Sequence, residues 1–147
     1  MYYIEFEDDL IIDEKNVRRT LDSLLSYLKE KRDFSLTFID DERMRELNYE
    51  YRGIDSPTDI LTFAMCDGDE FPSVVEDQEM GDVFISIESM NRNAEEFGVS
   101  PDEELKRLLL HGLLHLRGMD HKTNDFSSEP MLIEQERILL ELGLKNS

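Results

Sequence analysis

All three histidines of this 147-residue chain lie within eleven consecutive residues, HGLLHLRGMDH (His111–His121). His111 and His115 are four residues apart, so their side chains leave the same face of a helix. Gly118 favours the left-handed conformation that ends a helix, and the turn it makes can bring His121 back toward the other two. The segment therefore predicts a helix that presents two imidazoles, with a third supplied by the turn that follows.

The helix around these histidines is strongly apolar, because leucine fills positions 105, 108–110, 113, 114 and 116. A charged imidazole would be costly there, whereas metal coordination requires neutral rings. Three protein nitrogens with one open position are typical of a catalytic zinc site rather than a structural one. We therefore predict one divalent transition metal bound by His111, His115 and His121. Zinc is favoured, with nickel, copper and iron as alternatives; a structural metal with Asp120 as fourth ligand is the weaker interpretation.

The histidine spacing matches the zinc-protease signature H-E-x-x-H-x-x-G-x-x-H at every position except one. Gly112 stands where the protease carries the glutamate that acts as general base. Glycine cannot transfer a proton, and it costs a helix about 1 kcal/mol relative to alanine, which suggests that the space above the metal matters. The pattern favours a metal-dependent hydrolase and argues against peptide hydrolysis.

The acidic balance of the chain restricts its partners. Thirty-five Asp and Glu residues face sixteen Lys and Arg residues, for a net charge of −19. This argues against a broad basic groove for nucleic acid, although a bound cation and one or two arginines can reverse the field in a cleft. No apolar run approaches the roughly 20 residues that span a bilayer, and the single Cys66 indicates a reducing compartment. We expect a cytoplasmic protein that does not bind membranes.

Apolar periodicity and capping residues predict the element order β-α-β-α-β-β-α-α-α. Asp13, Asp40 and Ser100 are the expected helix caps. We predict a single α+β domain over residues 1–147, with one mixed β-sheet of about four strands packed with helices and a zincin-like metal helix.

Three acidic features are interpreted as structural. The segment 66–80 holds six acids and no base and is expected to be a solvated, mobile loop rather than a calcium site. Asp59 and Asp82 are interpreted as turn and cap residues rather than catalysts. The strand GDVFIS could line the cleft as a sheet edge or lie in the core with Val83, Ile85 and Ile87 in contact, and the core interpretation is favoured.

Four segments resemble the YbeY family of bacterial metal-dependent endoribonucleases. They are LNYEYRGIDSPTDILTF (Leu47–Phe63), GDVFIS (Gly81–Ser86), HGLLHLRGMDH (His111–His121) and MLIEQERILLELGL (Met131–Leu144). From first to last they span about two thirds of the chain, in the family's order. The resemblance implies a single-strand-specific endoribonuclease that acts in maturation of the 3′ end of 16S ribosomal RNA and in ribosome quality control.

The resemblance also assigns site residues and partners. Matched position by position, the metal ligands are His111, His115 and His121, and the family's functional arginine is Arg52. The implied partners are an RNA substrate, namely a ribosomal RNA precursor, together with the small ribosomal subunit and its assembly proteins. This chain departs from the family at Met119, which replaces the usual tyrosine, and in TFAM, which replaces Ser-Phe-Pro.

A catalytic role for Arg52 is also reasonable on physical grounds, because a guanidinium fork complements charge that gathers on phosphodiester oxygens. The alternative is an ordinary surface ion pair. Two other functions stay open: a ribosome-assembly binding factor with a structural metal, whose acidic surface docks to basic ribosomal proteins, and a metallopeptidase-like hydrolase. The nucleophile could be a metal-activated water or the 2′-hydroxyl of the substrate.

Overall fold

The computed structural model of the chain describes residues 1–7, 12–65 and 79–145. Within these ranges the elements follow the predicted order. The strands are β1 (Tyr2–Phe6), β2 (Asp33–Ile39), β3 (Ile60–Ala64) and β4 (Glu79–Ser86). The helices are α1 (Glu14–Leu28), α2 (Asp41–Arg52), α3 (Ile87–Phe97), α4 (Pro101–Leu116) and α5 (Pro130–Glu141). None of the helices in the described ranges is long and apolar enough to cross a membrane.

The three expected caps begin their helices as side-chain acceptors. Asp13 accepts from the backbone N–H groups of the first turn of α1, and Asp40 accepts from that of Arg43 in α2. The Ser100 hydroxyl accepts from the N–H of Glu103 at 3.0 Å in α4. These bonds satisfy donors that have no partner within a helix, which confirms the predicted starts. Residues 66–78 of the expected acidic loop, including Cys66, lie outside the described residues.

The four strands form one mixed sheet in the order β1-β2-β4-β3. β1, β2 and β4 run parallel, and β3 pairs antiparallel with β4 at the edge. Val83 and Ile85 of β4, expected in the core, are buried. The predicted fold class, an α+β domain with a four-stranded mixed sheet, is confirmed.

Apolar residues cover both faces of the sheet. On one face, α1, α3, α4 and α5 pack with the strands into the larger cluster, which contains Phe34, Leu36 and Phe38 of β2. On the other face, Met44 and Leu47 of α2 pack in a smaller cluster with residues of β2 and β3. The sheet is thus the middle layer, and α4, which carries two of the histidines, lies over β3 and β4.

Gly112 lets α4 approach the sheet closely. A Cβ atom there would lie 3.2 Å from Ile60 Cδ1 and 3.2 Å from Val83 Cγ1, tighter than ordinary van der Waals contact. The missing side chain would therefore point at β3 and β4. The interpretation that Gly112 clears space above the metal is wrong: the glycine serves helix–sheet packing.

Candidate metal centre and its cleft

The three histidine rings converge at the C-terminal end of α4. The ring centroids of His111 and His115 lie 4.6 Å apart, and that of His121 lies 5.1 Å and 5.5 Å from them. One ring nitrogen from each residue lies within 4.8 Å of the other two. α4 supplies the first two rings, and Gly118 at φ 96° turns the chain so that the third follows. The predicted convergence of the three imidazoles is confirmed.

Hydrogen bonds fix which nitrogen two of the rings can offer to a metal. His111 Nδ1 lies 2.7 Å from Gln135 Oε1, and His121 Nδ1 lies 2.7 Å from the carbonyl oxygen of Thr123. Both partners are acceptors, so each Nδ1 must donate a proton, and the lone pair of the neutral ring is then on Nε2. His115 Nε2 lies 3.1 Å from His111 Nε2. The donor set therefore suits one ion bound by imidazole nitrogens.

Burial keeps His111 in the neutral form that a metal needs. The pKa of His111 is lowered to about 4, and desolvation is the largest cause. The bond to Gln135 and the charge of Glu136 oppose this effect, and the two neighbouring histidines add to it. The ring is uncharged at neutral pH, so no proton has to leave it before coordination.

The histidines line a cleft of about 1110 Å³. Its walls are the face of α4, the edge strand β3, the end of α3, the start of α5 and the segment after Gly118. Met119 also lines it. Phe97 and Phe126 stand at the cleft with 62% and 45% of their surface exposed.

Arg52 lines the same cleft from the last residue of α2. Its Nη2 donates to the Thr62 carbonyl at 2.9 Å, and its guanidinium carbon lies 5.6 Å from the ring centre of Phe63. Among the residues that the structure describes, no carboxylate lies within 4 Å of it. The surface ion pair considered from the sequence is therefore not formed with any carboxylate of residues 1–7, 12–65 and 79–145.

A second arginine of the cleft, Arg107, is paired with three carboxylates. It donates to both carboxylate oxygens of Glu136 at 3.0 Å and 3.1 Å and also pairs with Glu103 and Glu104. Burial tends to raise the pKa of Glu136, but hydrogen bonds from Arg107, Lys145 and Gln135 outweigh it and hold that pKa at about 2. This buried network was not anticipated from the sequence.

Asp59 is a second unanticipated feature of the cleft wall. Its Oδ2 accepts from Asn93 Nδ2 at 2.9 Å, and Thr58 Oγ1 donates to its Oδ1 at 3.3 Å. Burial raises its pKa above the usual value. The sequence interpretation of a turn residue therefore omitted its place in the wall. Asp82 instead accepts from the Ser35 hydroxyl on the neighbouring strand and does not line the cleft.

Comparison with known proteins places these features in a family. The chain matches the sequence model described as Endoribonuclease YbeY over residues 3–143. A protein named Endoribonuclease YbeY from Treponema denticola is 47% identical over 133 residues, covering 88% of this chain and 84% of its own length. Another of that name, from Desulforamulus reducens, is 38% identical and covers 89% of this chain and 90% of its own length.

A solved structure shares the fold of this chain. The solution structure of a Thermotoga maritima protein matches with a TM-score of 0.63 and 25% identity, covering 100% of this chain and 97% of the other. The family match extends over nearly the whole chain and includes all three histidines and Arg52. The chain belongs to the YbeY family.

Proposed function

We propose that this chain is a metal-dependent endoribonuclease that cuts single-stranded RNA. The observation that carries the proposal is one cleft that holds both a three-histidine metal set and an arginine without a carboxylate partner among the described residues. Relatives at 38–49% identity carry the name endoribonuclease. We further propose that the substrate is a ribosomal RNA precursor, cut during maturation of the 3′ end of 16S RNA and in ribosome quality control, in the cytoplasm.

In this proposal each residue has a separate task. His111, His115 and His121 hold a divalent ion, which supplies Lewis acidity and an activated water when bound. Arg52 is anchored through Nη2 to the edge strand, and its remaining N–H donors can hold the non-bridging oxygens of a phosphodiester. The chain thus separates metal binding from phosphate recognition. Zinc is the favoured ion because neutral imidazoles suit it.

The charges of the cleft support a requirement for a cation. Four carboxylates line it, those of Asp59, Glu104, Asp120 and Glu136, against the two guanidinium groups of Arg52 and Arg107. This excess of negative charge would repel a phosphodiester. A bound divalent cation would offset this excess of negative charge, so RNA binding and metal binding should be linked.

The exposed aromatic rings at the cleft support a single-stranded substrate. Phe97, at the end of α3, and Phe126, in the segment before α5, are exposed although both are large and apolar. Unpaired bases stack on such rings, and paired bases cannot. The acidic surface limits affinity for naked RNA and suits docking to basic proteins. We therefore propose the small ribosomal subunit and its assembly proteins as partners.

A metallopeptidase remains the rival that an experiment must address. Gly112 replaces the glutamate that acts as general base in the zinc proteases, but other carboxylates line the cleft. The test is to incubate the purified protein with a ribosomal RNA precursor, with its duplex form and with casein, each with and without a chelator. We expect cleavage only of the single-stranded RNA, lost with the chelator and restored by zinc. Chelator-sensitive casein cleavage without RNA cleavage would replace the nuclease proposal with a peptidase.

A further inference from the structure

A chain of polar contacts runs from Arg107 to the metal centre. Arg107 donates to both oxygens of Glu136, and Gln135 Nε2 donates to Glu136 Oε2 at 2.9 Å. On the other side of the amide, Gln135 Oε1 lies 2.7 Å from His111 Nδ1. The Gln135 side chain is buried, with 1% of its surface exposed. Glu136 is therefore linked to the ligand His111 without touching the metal position.

The chemistry of each group determines the proton positions along this chain. An ionised carboxylate only accepts hydrogen bonds, so the NH₂ group of Gln135 has to face Glu136. The amide oxygen then has to face His111, and it too only accepts. His111 must consequently carry its proton on Nδ1, which leaves the lone pair on Nε2, the nitrogen that faces His115.

We propose that Glu136 is a positioning residue that, through Gln135, fixes the Nδ1-protonated tautomer of His111 and so keeps Nε2 free to bind the metal. The inference rests on the metal site of the proposed function. It concerns which nitrogen is offered, and therefore the affinity for the ion rather than the cleavage step.

The Gln135 amide could not do this alone. With no carboxylate beside it, the amide can rotate by half a turn and present NH₂ to His111, which stabilises the opposite tautomer with the proton on Nε2. That tautomer has no lone pair toward the metal position. His121 needs no such device, because its Nδ1 faces the backbone carbonyl of Thr123, which cannot exchange donor for acceptor.

A purely structural role for Glu136 is the competing explanation. The carboxylate also ties α5 to α4 through Arg107 and accepts from Lys145 at 2.8 Å. If this were its whole function, its removal would lower stability and leave the His111 tautomer unchanged. The two roles can therefore be separated by measuring the tautomer and the zinc affinity beside the thermal stability.

The experiment compares three proteins. They are wild type, the single variant Glu136→Gln, and a double variant, the exchange, that carries both Gln135→Glu and Glu136→Gln. The exchange keeps the net charge and places a carboxylate acceptor directly beside His111, but does not restore the Arg107 ion pair. Histidine ¹⁵N NMR of the metal-free proteins near neutral pH reports the tautomer, and competition with a chromophoric chelator reports the zinc affinity. Glu134→Gln, which removes an exposed carboxylate of the same helix paired with Arg137, is the matched control.

We expect wild-type His111 to be protonated on Nδ1. Glu136→Gln should populate the Nε2-protonated form and weaken zinc binding about 10–100-fold, the loss typical of an outer-shell partner. The exchange should recover the tautomer and most of the affinity, and Glu134→Gln should change neither. An exchange variant no better than Glu136→Gln, or an unchanged tautomer in Glu136→Gln, would overturn the proposal.

The wild-type spectrum can overturn the inference even if the variants do not fold, because His111 protonated on Nε2 in the metal-free protein contradicts it directly. RNA cleavage is not a readout in this design. A protein with the expected tautomer that cleaves no RNA would contradict the nuclease proposal and leave the role of Glu136 standing.

Discussion

At the scale of single residues, Arg52 offers the sharpest test of catalysis. Its side chain is exposed and contributes to neither apolar cluster, so its loss should not affect the fold. Arg52→Ala should keep the free energy of unfolding within about 1 kcal/mol and the metal content unchanged. Single-turnover RNA cleavage should fall about 10²–10³-fold, the usual effect of losing one electrostatic group in the transition state.

Two further variants make the Arg52 result specific. Arg52→Lys should restore only part of the activity, because a point charge does not reproduce the guanidinium fork. Arg45→Ala removes another arginine of α2, which pairs with Asp55 at 3.4 Å and does not line the cleft, and should cleave at the wild-type rate. Wild-type cleavage by Arg52→Ala would exclude a catalytic role for Arg52.

The sequence predicts the residues of the site unequally, for a physical reason. The three histidines are adjacent along the chain, so helical spacing and one glycine are enough to bring them together. Gln135 reaches His111 only because α5 packs on α4, and no local pattern encodes that contact. Glu104 is an intermediate case: it lies seven residues before His111, two helical turns along the same face, so periodicity alone could have pointed to it.

At the scale of elements, local signals fix the helix starts, and tertiary packing fixes the sheet. Asp13, Asp40 and Ser100 act through bonds within one turn and are readable from the sequence. The position of β2 between β1 and β4, and the antiparallel edge strand β3, arise from contacts between distant segments. The sequence predicted a mixed sheet but not this order, because apolar alternation shows which face is buried and not which strand is adjacent.

Gly81 lies where β3 approaches β4 too closely for a side chain. It adopts φ 138°, and a Cβ atom there would lie 2.1 Å from the Phe63 carbonyl oxygen and 3.0 Å from Leu116 Cδ2. Gly81→Ala combines backbone strain with overpacking, each worth about 1–3 kcal/mol, so unfolding in urea should show a loss of at least about 2 kcal/mol.

Gly98→Ala is the control for Gly81. Gly98 also has a positive φ, 70°, but nothing lies within 4 Å of its Cβ position. Gly98→Ala should lower the free energy of unfolding only by the strain of the left-handed conformation, about 1 kcal/mol. Equal losses at the two positions would show that steric contact with β3 is unimportant and that backbone conformation alone requires glycine at Gly81.

At the scale of the whole molecule, the free energy of unfolding should fall with acid in two separable steps, the first from His111 and the second from carboxylates. The pKa of His111 is lowered to about 4, mainly by burial. Its effect on the free energy of unfolding therefore begins as the pH falls below the ordinary histidine value of about 6.5. Glu30 and Glu136 have pKa values of about 2: bonds from Arg32 lower that of Glu30, and bonds led by Arg107 overcome burial at Glu136. Their contributions begin to be lost only below about pH 4.5.

The sign of the His111 contribution follows from where protons bind. Between about pH 6.5 and pH 4 the unfolded chain protonates this histidine and the folded protein does not, so acid favours unfolding. The free energy of unfolding of the metal-free wild type should therefore fall through this window, by up to about 3 kcal/mol from this group. Zinc should be released in the same direction, since protons compete for the ligand nitrogens.

The difference between wild type and His111→Gln cancels the titration of groups that do not interact with His111. Glutamine keeps an N–H donor that can reach Gln135 and has no pKa, while Asp59 and Glu104, whose pKa values burial raises, are common to both proteins and cancel. Urea unfolding of both metal-free proteins between about pH 7 and pH 4 gives the comparison. Wild type should lose stability relative to His111→Gln as the pH falls below about 6.5. Parallel curves for the two proteins would show that His111 titrates as an ordinary exposed histidine, and burial at the metal centre would then not be what keeps its ring neutral.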